Sequence, residues 1–307
     1  MTCVFTVCTA QQYPFAQQLG NSLPVGVLFK IGLVKGNLKA ENTVAVEEIV
    51  IPDFDQMQAR YNDDALVAAC KPFFAHYFLS QPGVEQVIYF DVTTQLFGDL
   101  QLITTQLATA DIILTPQLRW PMGKVTYGDE KQFLNTGLYN AGFVALQKSQ
   151  NTLAFLEWWQ ARLTDRAFFD LCHGMYHDQL WLNFVPVYFE KVKVVKNEGW
   201  NVGLHNLHER VIGTKGENWW VNNQTPLLFF NFRECLYQSK NGTDILQKSG
   251  TNQLVNSYLK SIKLDKSSAP VFSLYQQLNP VVAAWKRWLK QKLLYIIEQI
   301  NYFPVYH

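Results

Sequence analysis

With 307 residues, 48% of them hydrophobic and 14% aromatic, the chain can bury a large core, as one sizeable α/β domain or a domain with an appended lobe. Its 26 basic and 25 acidic side chains leave a formal net charge of +1, which excludes the global basic field that drives nucleic-acid binding. The five cysteines (Cys3, Cys8, Cys70, Cys172, Cys235) are odd in number and unevenly spaced, and the first strand has neither a charged flank nor a cleavage site. Free thiols and a cytoplasmic protein are expected, and no apolar run is long enough to span a bilayer.

Short apolar strands alternate with amphipathic segments, the pattern of a mostly parallel sheet with helices on both faces. Val4 to Cys8 is the first predicted strand, followed by a polar turn at Thr9 to Gln12 and a helix from Tyr13 to Leu23. Strands are predicted next at Val25 to Leu33 and Glu47 to Ile51. Asp63 to Ser80 has helical apolar spacing at Leu66, Cys70, Phe73, Phe74 and Tyr77, after a start rich in Asn and Asp. Val87 to Phe90 reads as a strand buried on both faces that stops on Asp91. Ala110 to Thr115 is a further strand, and Pro116 to Asp129 a loop rich in Pro, Gly and charge. Asn140 to Leu146 reads as a strand, Asn151 to Leu163 as a helix carrying Trp158 and Trp159, and Gln179 to Phe184 as helical.

A carboxylate delivered at the C-terminal end of a buried strand is how open α/β sheets place ligand-binding groups, so Asp91 is the first candidate site residue. Asp53-Phe-Asp55 has the spacing of a metal pair, but it follows Pro52 and reads better as a loop turn or helix N-cap. Cys172, His173, His177 and Asp178 lack the paired spacing zinc wants. Asp178 is either functional or an N-cap, and His205, His208, Glu209 and Arg210 are dense enough for a site or a surface ion-pair network. From 281 to 300, apolar residues recur at 281, 285, 289, 293, 296 and 300 beside Lys286, Arg287, Lys290 and Lys292. That is the form of a peripheral membrane anchor, or of a terminal helix docked on the core.

Val87-Ile-Tyr-Phe-Asp91, Tyr139-Asn-Ala-Gly-Phe143, His177-Asp-Gln-Leu-Trp-Leu-Asn183, Trp200-Asn-Val202 and Asn206-Leu-His-Glu-Arg210, in that order, resemble nucleotide-sugar glycosyltransferases of the GT-A fold. The likeness is to bacterial enzymes of surface-polysaccharide and lipopolysaccharide assembly, and more loosely to the glycogenin-like group. It implies a GT-A-like domain over 1–240, a helical extension over 241–307, and transfer of a sugar, UDP-linked by preference, to a surface-glycan or lipid-linked glycan acceptor. Thr9, Ala10 and Tyr13 would then contact base and ribose, and Lys71 the donor diphosphate. Asn140, Asp178, Gln179, His205 and Arg210 would reach the donor sugar or acceptor. Inverting transfer would use Asp178 or Glu209 as the acceptor's base; retaining transfer would use Gln179 or Asn140 to stabilise oxocarbenium-like charge.

Two departures from the family pattern bear on Mn²⁺ or Mg²⁺. Asp91-Val92-Thr93 stands where the family has Asp-x-Asp, so Asp91 alone remains as a metal ligand, and Asn231 stands where relatives carry a histidine, with Arg233 close by. Lys71 and Arg233 are expected to replace the cation's charge, giving weak or absent metal dependence. The alternatives are a homologue that binds glycan or nucleotide sugar without catalysis, and a nucleotidyltransferase, the latter disfavoured by the lack of a Gly-rich phosphate loop.

Overall fold

Buried residues alternate between two faces along each central strand, and this alternation builds the molecule. The computed structural model describes residues 1–121, 130–171, 174–236 and 249–262, with isolated helical positions between 285 and 296. Met1–Phe272 forms one compact unit and Ser273–His307 a second.

The first half runs β1 (Thr2–Thr9), α1 (Tyr13–Asn21), β2 (Leu28–Lys35), β3 (Thr43–Ala45), α2 (Phe54–Arg60), α3 (Asp63–Ser80), β4 (Gln86–Phe90), β5 (Thr94–Leu96), α4 (Gln101–Leu107) and β6 (Ile112–Leu114). It continues with α5 (Glu130–Thr136), β7 (Phe143–Gln147), α6 (Gln150–Arg166), β8 (Phe169–Asp170), β9 (Met175–Tyr176), α7 (Val185–Tyr188) and β10 (Val192–Val194). The last strands are β11 (Val202–Gly203), β12 (Ile212–Lys215), β13 (Asn218–Val221), β14 (Thr225–Pro226) and β15 (Phe229–Asn231), before a helix at Asn252–Ser261.

Seven strands form the main sheet in the order β10-β6-β7-β4-β1-β2-β3. Within it β7 is antiparallel to both neighbours and the other pairings are parallel. Phe5, Val87, Tyr89, Val144 and Leu146 point to one face, where they meet Phe74 and Phe78 of α3 and Phe155 and Trp159 of α6. Val4, Ile88, Phe90, Phe143 and Ala145 point to the other, against Ile103 and Leu107 of α4 and Phe229. Burial on both faces explains why these strands read as continuous apolar runs.

A smaller sheet, ordered β11-β15-β5, lies beside the first and carries Asn231 at the end of β15. The helix Asn252–Ser261 packs here: the Tyr258 ring stacks on Phe232 with centroids 3.8 Å apart and planes 4° from parallel.

Two sequence expectations shift. The second strand starts at Leu28 rather than Val25, because Gly26 takes a positive φ of 87° in the preceding turn. Glu47 to Ile51 is not a strand: the Glu48 carboxylate accepts the Ala45 N–H at 2.7 Å, ending β3 in a 3₁₀ turn at Val46–Glu48.

Candidate active site

The C-terminal ends of β1, β2, β4 and β6, with the start of antiparallel β7, share one rim of the sheet. Asp91 follows β4 and donates its N–H to Gly142 O at 2.7 Å, which ties the end of β4 to the start of β7. Asp91 is 5% exposed, and both of its carboxylate oxygens are engaged. Oδ1 accepts from the Thr93 hydroxyl (2.7 Å) and the Thr93 N–H (3.1 Å), and Oδ2 accepts from Arg233 Nη1 (2.9 Å). Burial alone would raise this carboxyl, but Arg233 and the two Thr93 donors outweigh it and hold Asp91 below its ordinary value.

Arg233 also donates Nη2 to Asp64 Oδ1 at 2.9 Å, and its main-chain N–H to Asn231 Oδ1 at 2.9 Å. Asn62 caps α3 by accepting from Ala65 N at 2.8 Å, which sets Asp64 in the helix's first turn beneath the rim. The Arg233 side chain is 23% exposed while the Asp64 and Asp91 side chains are 6% and 7% exposed. The cluster therefore presents its cation outward, over two buried carboxylates.

Lys71 lies seven residues beyond Asp64, on the same face of α3. Its Nζ donates to Asp178 Oδ2 (2.5 Å) and Ala141 O (2.9 Å), and sits 4.6 Å from the Tyr89 ring centroid. The diphosphate contact expected of Lys71 is thus replaced by a buried internal ion pair, since this face of α3 looks into the sheet. Asp178 is that pair's anion and not an N-cap; Gln179 occupies the cap position of the turn Leu180–Phe184 without a side-chain bond to it. Gln179 instead clamps the approach to β7: Nε2 donates to Thr136 O (2.8 Å) and Oε1 accepts from Ala141 N (3.1 Å). That engagement displaces the expected role of Gln179 at the sugar's reacting face.

Asn140 donates Nδ2 to Gln117 Oε1 at 3.1 Å and accepts from Gly142 N at 2.8 Å. A Cβ at Gly142 would stand 2.5 Å from Asn231 Nδ2 and 2.7 Å from Asn140 Oδ1, so only glycine lets the two amides close around Asp91. After β1, Thr9 donates its N–H to Gln12 Oε1 at 3.1 Å, and Ala10 packs against Gly36, the residue after β2. Tyr13, opening α1, packs on the neighbouring apolar cluster with Phe15 and Phe230.

Glu209 and Arg210 belong to a different cluster. Glu209 approaches Arg119 Nε at 3.5 Å and Arg210 Nη2 at 3.6 Å, and Glu198 accepts from Arg119, Asn222 and Thr225. Arg210 is 2% exposed, so this is a buried network in place of the surface one; Glu209 is engaged by arginines, which removes it as the acceptor's base. The His205 side chain is 7% exposed. Asp64 and Gln117 join the rim without a sequence signal beyond the Asn62-Asp63-Asp64 helix start, which reads as capping alone.

A divalent cation, the group this kind of site holds in the resembled family, does not fit these residues. Every oxygen that would face it at Asp91 and Asn231 already accepts from Thr93 or Arg233, and a guanidinium stands between Asp91 and Asp64. Among the described residues, no group of three or more His, Cys, Asp or Glu side chains could hold a metal.

No protein-family model matches the chain. It is 26% identical over 164 residues to the uncharacterised protein YfnF, and 29% identical over 167 residues to the uncharacterised protein YfnD, both of Bacillus subtilis (strain 168). Each match covers 53% of this chain and 54% or 51% of the relative, so the chain spans about half the length of the curated relatives it matches. Similar solved structures include the galactosyltransferase LgtC with donor and acceptor sugar analogues: 10% identity, 87% of this chain and 98% of that one, TM-score 0.46. A glycosyltransferase involved in glycosylation of the PBCV-1 major capsid gives 9%, 81%, 98% and 0.46. GlyE of Streptococcus pneumoniae TIGR4 gives 13%, 87%, 65% and 0.44.

Proposed function

We propose that the chain is a glycosyltransferase that moves a sugar from a nucleotide-diphosphate donor, UDP by preference, to a glycan acceptor, with Arg233 in place of a divalent cation. One observation carries this: Asp64, Lys71, Asp91, Asn140, Asp178 and Asn231, all buried and polar, converge on the C-terminal rim of a mostly parallel sheet. Burying so many charges and amides in one place costs stability unless every one is paired, and such networks cluster at functional sites. The exposed edge of Arg233 is the group that meets a diphosphate, with Asp91 and Asp64 fixing its plane as they would fix a metal.

The test is a thermal-shift series with UDP, GDP, CMP and dTDP, each with Mn²⁺ and again with EDTA. One nucleotide is expected to stabilise the protein equally in both. Stabilisation confined to Mn²⁺ would defeat the guanidinium reading, and no shift with any nucleotide would leave a protein that binds glycan without a donor.

The acceptor is proposed to lie at an anionic membrane surface. Within Ser273–His307, Trp285, Trp288, Tyr295 and Ile296 are 60%, 55%, 61% and 52% exposed at helical positions, beside Lys286 and Lys292. Much of the 281–300 segment lies outside the described residues. Exposed tryptophans flanked by cations suit headgroups and interface together. Among the described residues no helix is long and apolar enough to cross a membrane. The protein should co-sediment with phosphatidylglycerol vesicles and not with phosphatidylcholine; equal recovery with both would refute the anionic surface.

A further inference from the structure

The rim and the neighbouring Arg119 cluster hold several carboxylates tied to cations. Asp64 and Asp91 are held by Arg233, Asp178 by Lys71, and Glu198 and Glu209 by Arg119. A carboxylate locked to a buried cation is a poor proton acceptor, because protonation would strand the partner's charge.

Glu234, next to Arg233 in the 3₁₀ turn Arg233–Leu236, is different. Its side chain is 46% exposed, no lysine or arginine forms an ion pair with it among the described residues, and the His205 ring faces it with Nδ1 3.8 Å from Oε2. That ring's proton can be placed. Asn206 accepts the Gly203 N–H on Oδ1 (3.1 Å) and donates Nδ2 to Asn201 O (3.0 Å), which fixes the amide's orientation. Asn206 Nδ2 also stands 2.8 Å from His205 Nε2, so Nε2 must accept and the proton sits on Nδ1, facing Glu234. Burial, with Arg210 and His208 adding to it, lowers His205 to about 3, which keeps the ring neutral. The ring is wedged against the main chain: a Cβ at Gly203 would meet His205 Cε1 at 2.8 Å and Asn231 O at 3.1 Å. The neutral ring thus faces the carboxylate from 3.8 Å, beyond hydrogen-bond reach, and leaves it charged, while the His205 main-chain N–H bonds to it and fixes its orientation.

We infer that Glu234 is the general base of the transfer, with His205 as its positioning residue. This rests on the glycosyltransferase reading above and deepens it, because a base at this point makes the reaction inverting. The acceptor hydroxyl oxygen forms a bond to the anomeric carbon as the bond from that carbon to the phosphate oxygen breaks. The electron pair leaves on the nucleoside diphosphate, against Arg233, and the hydroxyl proton passes to Glu234. Burial pushes Glu234 up to about 7, with the His205 main-chain N–H, Arg233 and the solvent that reaches its half-exposed side chain opposing; Cys235 lies next to it on the same turn. That value suits a base working near neutrality.

The experiment uses water in the acceptor's place: release of nucleotide from UDP-glucose, UDP-galactose and UDP-N-acetylglucosamine by the full chain, wild type against Glu234→Gln. The substitution keeps the size and cannot take a proton. We expect release to fall by about 10²- to 10⁴-fold with UDP-induced stabilisation unchanged. The freed sugar should emerge first as the inverted anomer by NMR, and the wild-type rate should fall below about pH 7 along a limb absent from the variant. Glu234→Gln retaining a tenth of the rate, a retained anomer, or a wild type that binds UDP but releases none would each overturn the assignment. A wild type that neither binds UDP nor cleaves a donor would overturn the transferase reading instead.

Discussion

Lys71→Met will lower the melting temperature by on the order of 5–10 °C. The substitution leaves Asp178, 4% exposed, without the ammonium that pairs with it, and breaking a buried pair from one side costs about 3–5 kcal/mol. At roughly 2 °C per kcal/mol for a chain of this size or somewhat smaller, the shift is easily read by calorimetry. Lys71→Met with Asp178→Leu should recover most of the loss, since an apolar pair of similar volume needs no counter-charge. A single variant as stable as the double would show that the pair contributes nothing. The effect should reach past stability, because Lys71 also holds Ala141 O, and Ala141 N is held by Gln179. With the Lys71 tie gone and only Gln179 left to hold Ala141, Gly142 and Asn140 are less firmly placed against Asp91, so turnover should fall even where the variant remains folded.

The second large effect is at Arg233. In Arg233→Ala, stabilisation by nucleotide in EDTA should disappear and Mn²⁺ should begin to stabilise the protein. Asp91 Oδ2 and Asp64 Oδ1 now bracket one guanidinium; without it they face each other across a gap that only a cation relieves. Melting temperatures of wild type and variant, with and without Mn²⁺, check this, and a variant indifferent to Mn²⁺ would show that the carboxylates separate once the arginine is gone. The acid side moves too. In the wild type Asp91 lies below 3.8, so its contribution to stability is present above the unfolded value and is lost as pH falls through the lower folded one. Removing Arg233 takes away the largest influence opposing burial, so the variant should lose stability at a higher pH than the wild type.

The strand and helix that carry the site were legible. Asp63–Ser80 could be bounded because Asn62 is a capping residue and the apolar spacing is sustained; the β4 run could be found because it is apolar on both faces. Strand direction was not, because an apolar run carries no arrow and β7 looks like any parallel strand. The pairings were the least visible. Arg233 and Asp64 are 169 positions apart, and Lys71 and Asp178 107 apart, so no local pattern records them. Lys71 in particular, expected at the donor diphosphate, carries no sequence sign of its ion pair until the fold shows which face of the helix is turned inward. Glu234 had no signal at all, since its character comes from a histidine tautomer set by a third residue.

The stack of Tyr258 on Phe232 bears on where this protein can be cut. Phe232 joins Asn231 to Arg233, so the ring pressed against it is a brace one peptide away from the guanidinium that grips Asp91 and from the amide that holds the Arg233 main chain. The helix Asn252–Ser261 therefore sets the positional tolerance of the rim from outside it, and shortening the chain ahead of it trades that accuracy for size.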